Sequence, residues 1–417
     1  MSLSNGWTGG QYSLFRLIFG TWLFFYFLFP APRSAERLAD AGSSVEVTGS
    51  LLYQVAPYFP NIFNVGNATI FVTGLLLAAA GLSLAFAIGW HDRIAAILLA
   101  YLWVCLLSRG QLVGSAGLLY VGWLLLAHAC LPGAPYGSWA ARGRVDPGGG
   151  WRMPQTIFAG GWLLMAIGYI LSARTELSSP SWLDGTAVAR VLDSPLARPR
   201  FLTEALLALP AWLLHLCTWS ILAFELLFAP LALFRIFRPW LWTVSFLLQL
   251  AILVLLDRID VSLGTLLLHL FTFNPSWIKP LPAPTERVFY DGQCGLCHWA
   301  VRFILTEDRA GDTFRFAPLD SKIFRSSVSE TERAKLGETL VVQTAGGALL
   351  ARSRAVIHVM QRLGGVWRLL GAMARMIPLA IRDRLYDAVA WSRHRLFRQP
   401  AQACPILPSY LKQRFDV

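Results

Sequence analysis

Two cysteines, Cys294 and Cys297, stand two residues apart in the stretch RVFYDGQCGLCHWAVRFIL, residues 287–305. Thiols at that spacing can close a disulfide, hold a metal ion or simply pack. A β-prone run, Val288–Tyr290, leads into Asp291 and Gly292, and a helical pattern follows with Trp299, Val301 and Ile304 among its apolar positions. Cys294 then falls at a helix N-terminus, where free N–H groups and the helix dipole favour a thiolate. Cys297, one turn on, is placed to resolve a mixed disulfide. This position predicts Cys294 as the more exposed and more acidic of the pair. Asp291 has two open roles, an N-terminal cap or a proton acceptor for the buried thiol. Of the other cysteines, Cys105, Cys130 and Cys217 lie in apolar runs and Cys404 stands more than 100 residues past Cys297. With no second pair there is no disulfide framework, and no metal site is expected.

A second set of polar residues is marked by its surroundings. Glu225, His215, Gln249 and His269 all sit inside long apolar runs. Such groups are costly in lipid and must find partners inside a helical bundle. His215, Thr218, Leu222 and Glu225 step by three and four, so they share one helix face. The face is either a structural hydrogen-bond network or a place where protons are handled at a bound redox lipid. We expect an internal pocket lined by some of these four residues and large enough for an isoprenoid or acyl chain.

The elements that must position these residues follow from composition. The 417-residue chain is 55 % hydrophobic and 14 % charged, with a mean hydropathy of +0.52. Soluble proteins carry about 25 % charged residues, so the pattern is that of an integral, multi-pass membrane protein. The polarity is uneven. Residues 284–417 hold 20 Lys/Arg against 12 Asp/Glu, whereas residues 1–283 hold 16 against 12. Apolar runs near the spanning length of about 20 residues occur at 12–30, 68–90, 93–108, 111–131, 155–173, 204–235, 239–256 and 260–275. The division expected is a multi-helix transmembrane domain over 1–277, a Pro-rich connector over 278–286 and a polar domain over 287–417. Arg142, Arg144, Arg152, Arg235 and Arg238 favour a cytoplasmic side for their loops. The basic polar domain suits the anionic inner leaflet, which places it in the cytoplasm. The same leaflet accounts for the positive charge, so no nucleic-acid partner is expected.

The polar domain reads as a strand, a CxxC turn, a helix, a strand at Thr313–Phe316, a hairpin at Thr339–Val342 and Ala348–Ala351, and a helix at Arg352–Leu363. That is the order of a thioredoxin-like fold, in which CxxC is a redox motif. The segment FYDGQCGLC, Phe289 to Cys297, resembles the DCC family of thiol-disulfide oxidoreductases, whose YDGxCxxC pattern is met by Tyr290, Asp291, Gly292, Cys294 and Cys297. The resemblance extends over Arg315–Asp320, Ser353–Ala355 and the late stretch with Cys404-Pro405. It implies a dithiol acting on protein or small-molecule thiols and disulfides. Where thioredoxins place a cis-proline before the next strand, this chain has Gly337-Glu338-Thr339. The membrane part resembles the HTTM group, which includes the membrane domain of vitamin K-dependent γ-carboxylase, at Trp182, Gly185, Glu225 and Ser262-Leu263-Gly264. It departs from the carboxylase in lacking a Lys among Ser172–Ser181 and in carrying Gln249 where a His is expected. That resemblance implies a lipid or quinone as partner without implying carboxylation. The leading expectation is a membrane-bound thiol-disulfide oxidoreductase, with a quinone as its possible electron partner. The alternatives are a membrane enzyme acting on a lipid with the CxxC domain as redox sensor, and a transporter or scaffold with a CxxC binding module.

Overall fold

The computed structural model describes residues 5–29, 60–66, 68–108, 116–198, 201–257, 259–336, 339–396 and 407–416. Cys404, Gly337 and Glu338 lie outside them. The chain divides into two compact units. One comprises Phe15–Leu131 and Pro154–Phe273, the other Met1–Leu14, Pro132–Met153 and Asn274–Val417.

The first unit is helical. Each apolar run of the sequence becomes a helix: α1 (Gly9–Leu28, whose first turns belong to the second unit), α2 (Thr69–Ile88), α3 (Asp92–Ser108), α4 (Ala116–Ala129), α5 (Gln155–Leu177), α6 (Ala211–Ala232), α7 (Arg238–Leu255) and α8 (Ile259–Thr272). The run 204–235 is divided because Pro210 caps α6; proline lacks the N–H that a continuous helix would need. Short helices at Pro180–Leu183, Ala187–Leu192 and Phe201–Leu207 join α5 to α6. Of the described helices, α2, α5, α6 and α7 are long and apolar enough to cross a membrane, while the apolar stretches of α4 and α8 are shorter. Arg16, a charge inside the first apolar run, is 1 % exposed and meets Asp92 at 3.1 Å, with His128 on the same carboxylate at 3.6 Å. A buried charge of this kind is tolerable only when paired.

The second unit is built on a four-stranded sheet of order β2-β1-β3-β4. β1 (Glu286–Tyr290) runs parallel to β2 (Phe314–Pro318) and antiparallel to β3 (Val341–Gln343), which forms a hairpin with β4 (Leu349–Ala351). Val288, Phe289 and Tyr290 of the central strand are fully buried, as β-prone apolar residues covered on both faces should be. α9 (Gly295–Glu307) follows β1, α10 (Arg352–Leu363) follows β4, and α11 (Gly365–Arg375) and α12 (Leu379–Leu396) come after it, with shorter helices at Lys322–Ser327, Glu330–Leu336 and Ser409–Lys412. The element order expected from the sequence is present, with strand ends moved by one or two residues. α12 reaches the sheet through Tyr386, whose hydroxyl accepts from the Leu340 N–H at 3.1 Å. It leaves Leu385, Val389 and Trp391 exposed, so the tail packs on the sheet only in part.

The connector is not a free spacer. Leu281 N–H donates to the Gln361 carbonyl at 3.0 Å. Arg362, itself buried, donates to the carbonyls of Leu281, Ala283 and Pro284 and pairs with Glu286 at 3.3 Å. Residues far away in sequence join the same unit. Glu307, at the end of α9, accepts hydrogen bonds from Thr8 Oγ1, Gly10 N (2.9 Å) and Trp367 Nε1 (2.5 Å). Asn5 Nδ2 donates to Met153 O at 3.0 Å, Tyr12 stacks on Trp151, and Tyr136 donates to the Trp299 carbonyl at 3.2 Å.

Candidate functional site

β1 ends at Tyr290 and the chain turns through Asp291–Gln293 into α9. Asp291 Oδ1 accepts from Gln293 N at 2.9 Å and the Asp291 carbonyl accepts from Cys294 N at 3.3 Å. The acid therefore shapes the turn, and Cys294 takes the N-cap position with extended dihedrals, its sulfur accepting the Cys297 N–H at 3.4 Å. Asp291 is thus not the helix cap. His298 fixes the same turn from inside, its Nε2 donating to the Gly292 carbonyl at 3.0 Å.

The two thiols interact directly. Cys297 is held well above the ordinary thiol range, first by its hydrogen bond with Cys294, then by burial, with the Asp291 carboxylate adding to the shift. Cys297 accordingly holds its proton more tightly than a free thiol, and its N–H donates to the Cys294 sulfur. The expected exposures are reversed. Cys294 is 2 % exposed and Cys297 8 %. Position at a helix end does not guarantee solvent, because both cysteines belong to one buried cluster with Tyr290, Leu340, Leu407 and Phe415. The C-terminal stretch supplies part of that cover: Phe415 pairs with Phe316 as a parallel bridge and sets its ring edge against Tyr290. Spacing around the motif carries no sign of a segment more than 100 residues away.

In the helical unit, Glu225, Gln249 and His269 line one cavity of about 460 Å³. His215 does not line it. It lies beside Gly185 and Trp219 instead, because helical stepping places it on the face of Glu225 but more than two turns nearer the start of α6. Glu225 is 6 % exposed. His269 Nδ1 donates to the Thr265 carbonyl at 2.8 Å and its Nε2 faces the Tyr169 hydroxyl at 3.4 Å. The sequence reading passed over Glu176, Ser172 and Tyr169, which line the same cavity from α5. Their signal was present as a three-and-four step, Tyr169, Ser172, Glu176, at the end of an apolar run. Among the described residues no cluster of three or more His, Cys, Asp or Glu side chains could hold a metal ion.

A strand-turn-helix unit with a CxxC at the helix N-terminus on a mixed four-stranded sheet is the class of protein defined here. Residues 288–399 match the family model of the DCC1-like thiol-disulfide oxidoreductases, and the chain belongs to that family through this part. It is 30 % identical over 132 residues to the uncharacterized protein YuxK of Bacillus subtilis, covering 32 % of this chain and 94 % of that one. It is 29 % identical over 126 residues to a chloroplastic DCC family protein of Arabidopsis thaliana, covering 29 % of this chain and 73 % of the relative. No solved structure matches the chain.

Proposed function

We propose that the protein is a membrane-anchored thiol-disulfide oxidoreductase in which Cys294 attacks and Cys297 resolves. The observation that carries this is the Cys294 sulfur at the N-cap of α9, receiving the Cys297 N–H one turn before the second thiol. The Cys294 thiolate attacks one sulfur of a substrate disulfide; that S–S bond breaks, the other substrate sulfur leaves and takes a proton, and a mixed disulfide forms. Cys297 then gives up its proton, attacks the Cys294 sulfur and expels the second substrate thiol. Two electrons have moved to the substrate, and the Cys294–Cys297 disulfide remains. Run backwards, the steps oxidise a dithiol, and the partner's potential sets the direction. Asp291 holds the turn, and the hydrogen bond with Cys294 together with burial keeps Cys297 protonated until it is needed. Because both sulfurs are buried, a substrate reaches them only when the cover over the turn opens.

Four described helices long and apolar enough to cross a membrane support anchoring, and a membrane quinone is proposed as the electron partner. Dithiol plus quinone gives disulfide plus quinol, with two electrons and two protons transferred. The test uses the full chain in lipid nanodiscs with an aromatic disulfide as substrate. Cys294→Ser abolishes turnover, and Cys297→Ser stops at a trapped mixed disulfide on Cys294. Wild-type turnover by the Cys294→Ser protein would sink the reading. Dithiothreitol-driven reduction of a short-chain ubiquinone that survives Cys294→Ser, while disulfide turnover is lost, would remove the quinone alone.

A further inference from the structure

We propose that the cavity of the helical unit binds an amphiphile whose head donates hydrogen bonds, an alcohol or ammonium group on an apolar body, and that Glu176 and Glu225 receive that head. The proposal is independent of the dithiol chemistry.

The two acids stand on neighbouring helices, α5 and α6, and their carboxyl groups interact with each other and with Ser172. Each keeps one oxygen, Oε2, buried without a hydrogen-bond partner. A buried acceptor left unmade forfeits its hydration without recompense, so the site gains most from a molecule that brings donors. The wall decides the sign of charge. Among the described residues no Lys or Arg lines the cavity, so there a carboxylate or phosphate head would meet two acids and no cation. His269, the ring base on the wall, has both nitrogens committed to Thr265 and Tyr169. Gln249, Tyr120 and Thr265 add polar groups to the wall, and the rest is mostly apolar, with Leu192, Ile221, Leu248 and Ile252 among its residues, which suits a hydrocarbon body. The volume of about 460 Å³ lies within the range of about 300–1,000 Å³ found for small-molecule sites.

The test compares three probes of one chain length, dodecanol, dodecylamine and laurate, on the full chain in phosphatidylcholine nanodiscs, with partition into empty nanodiscs subtracted. Saturable, mutually competitive binding of the alcohol or the amine, with no competition by laurate, is the expected result. Glu225→Gln and Glu176→Gln weaken it at least tenfold, and Ile252→Trp, which fills the cavity, abolishes it. Disulfide turnover at Cys294 stays at the wild-type rate in each variant and reports that the chain is folded. Laurate binding as tightly as the amine, the absence of saturable binding, or unchanged affinity in both Glu225→Gln and Ile252→Trp would each overturn the proposal.

Discussion

Glu307 shows how one side chain can join distant parts of the chain. It is 1 % exposed and collects donors from the N-terminal segment, from the backbone at Gly10 and from Trp367 of α11. Burial pushes its carboxyl above the ordinary glutamate range, while Thr8, Trp367 and Gly10 pull it back. The sign follows from proton binding. A carboxyl whose folded pKa is raised holds its proton longer when folded, so its contribution to stability falls as pH rises above the unfolded value of about 4.3. Glu307→Gln has no such group. The melting temperature of the wild type relative to Glu307→Gln is therefore expected to fall with rising pH, measured from pH 4 upward. A difference that grows with pH would show that the donors outweigh burial. At the dithiol the same scale separates the two sulfurs: Cys294 caps α9 and accepts the Cys297 N–H, and Cys297 is held above the ordinary thiol range by its hydrogen bond with Cys294 and by burial.

Elements are placed by close approach as much as by apolar pattern. Gly264 on α8 lies against the backbone of Gly117 on α4, and a Cβ there would stand 2.3 Å from the Gly117 carbonyl oxygen. Small residues let apolar helices pack at backbone distance. Gly264→Ala must push α8 from α4, at a cost of about 1–3 kcal/mol for overpacking. A lower melting temperature and a weaker yield of monodisperse protein in detergent check it; an unchanged melt would mean that the helices separate freely. In the other unit, Gly364 and Gly365 adopt positive φ of +74° and +57° at the junction of α10 and α11, with Pro280 and Gln11 in contact range of an added Cβ. The junction thus needs glycine both for its dihedrals and for the space that the connector occupies.

At the scale of the whole molecule the chain is interleaved. The unit that carries the dithiol is made of the C-terminal third together with Met1–Leu14 and the loop Pro132–Met153. Removing residues 1–14 is expected to strip the donors Thr8 and Gly10 from Glu307 and to lower the stability of the dithiol unit, not only of the helices. The membrane reading has its own check at this scale. With four helices of spanning length among the described residues, the full chain should remain in the membrane fraction after alkaline carbonate extraction and leave it only with detergent. Release by carbonate would end the anchoring proposal.

The local features were legible because they rest on short-range physics. The helix expected at Arg352–Leu363 has those bounds in the fold, and the eight apolar runs each contain a helix. The CxxC at the head of α9 was evident from Val288–Tyr290, the turn and the helical spacing that follows. What the tertiary structure decided depends on residues that sequence distance separates. Burial of Cys294 comes from a cluster that includes Leu407 and Phe415. The exclusion of His215 and the inclusion of Glu176 at the cavity depend on how α5 and α6 are paired. Thr8 lies 299 residues from Glu307, and Asp92 lies 76 from Arg16. Periodicity reports which face of an element is apolar; only packing selects what that face meets, because the free energy of a buried contact belongs to both of its sides.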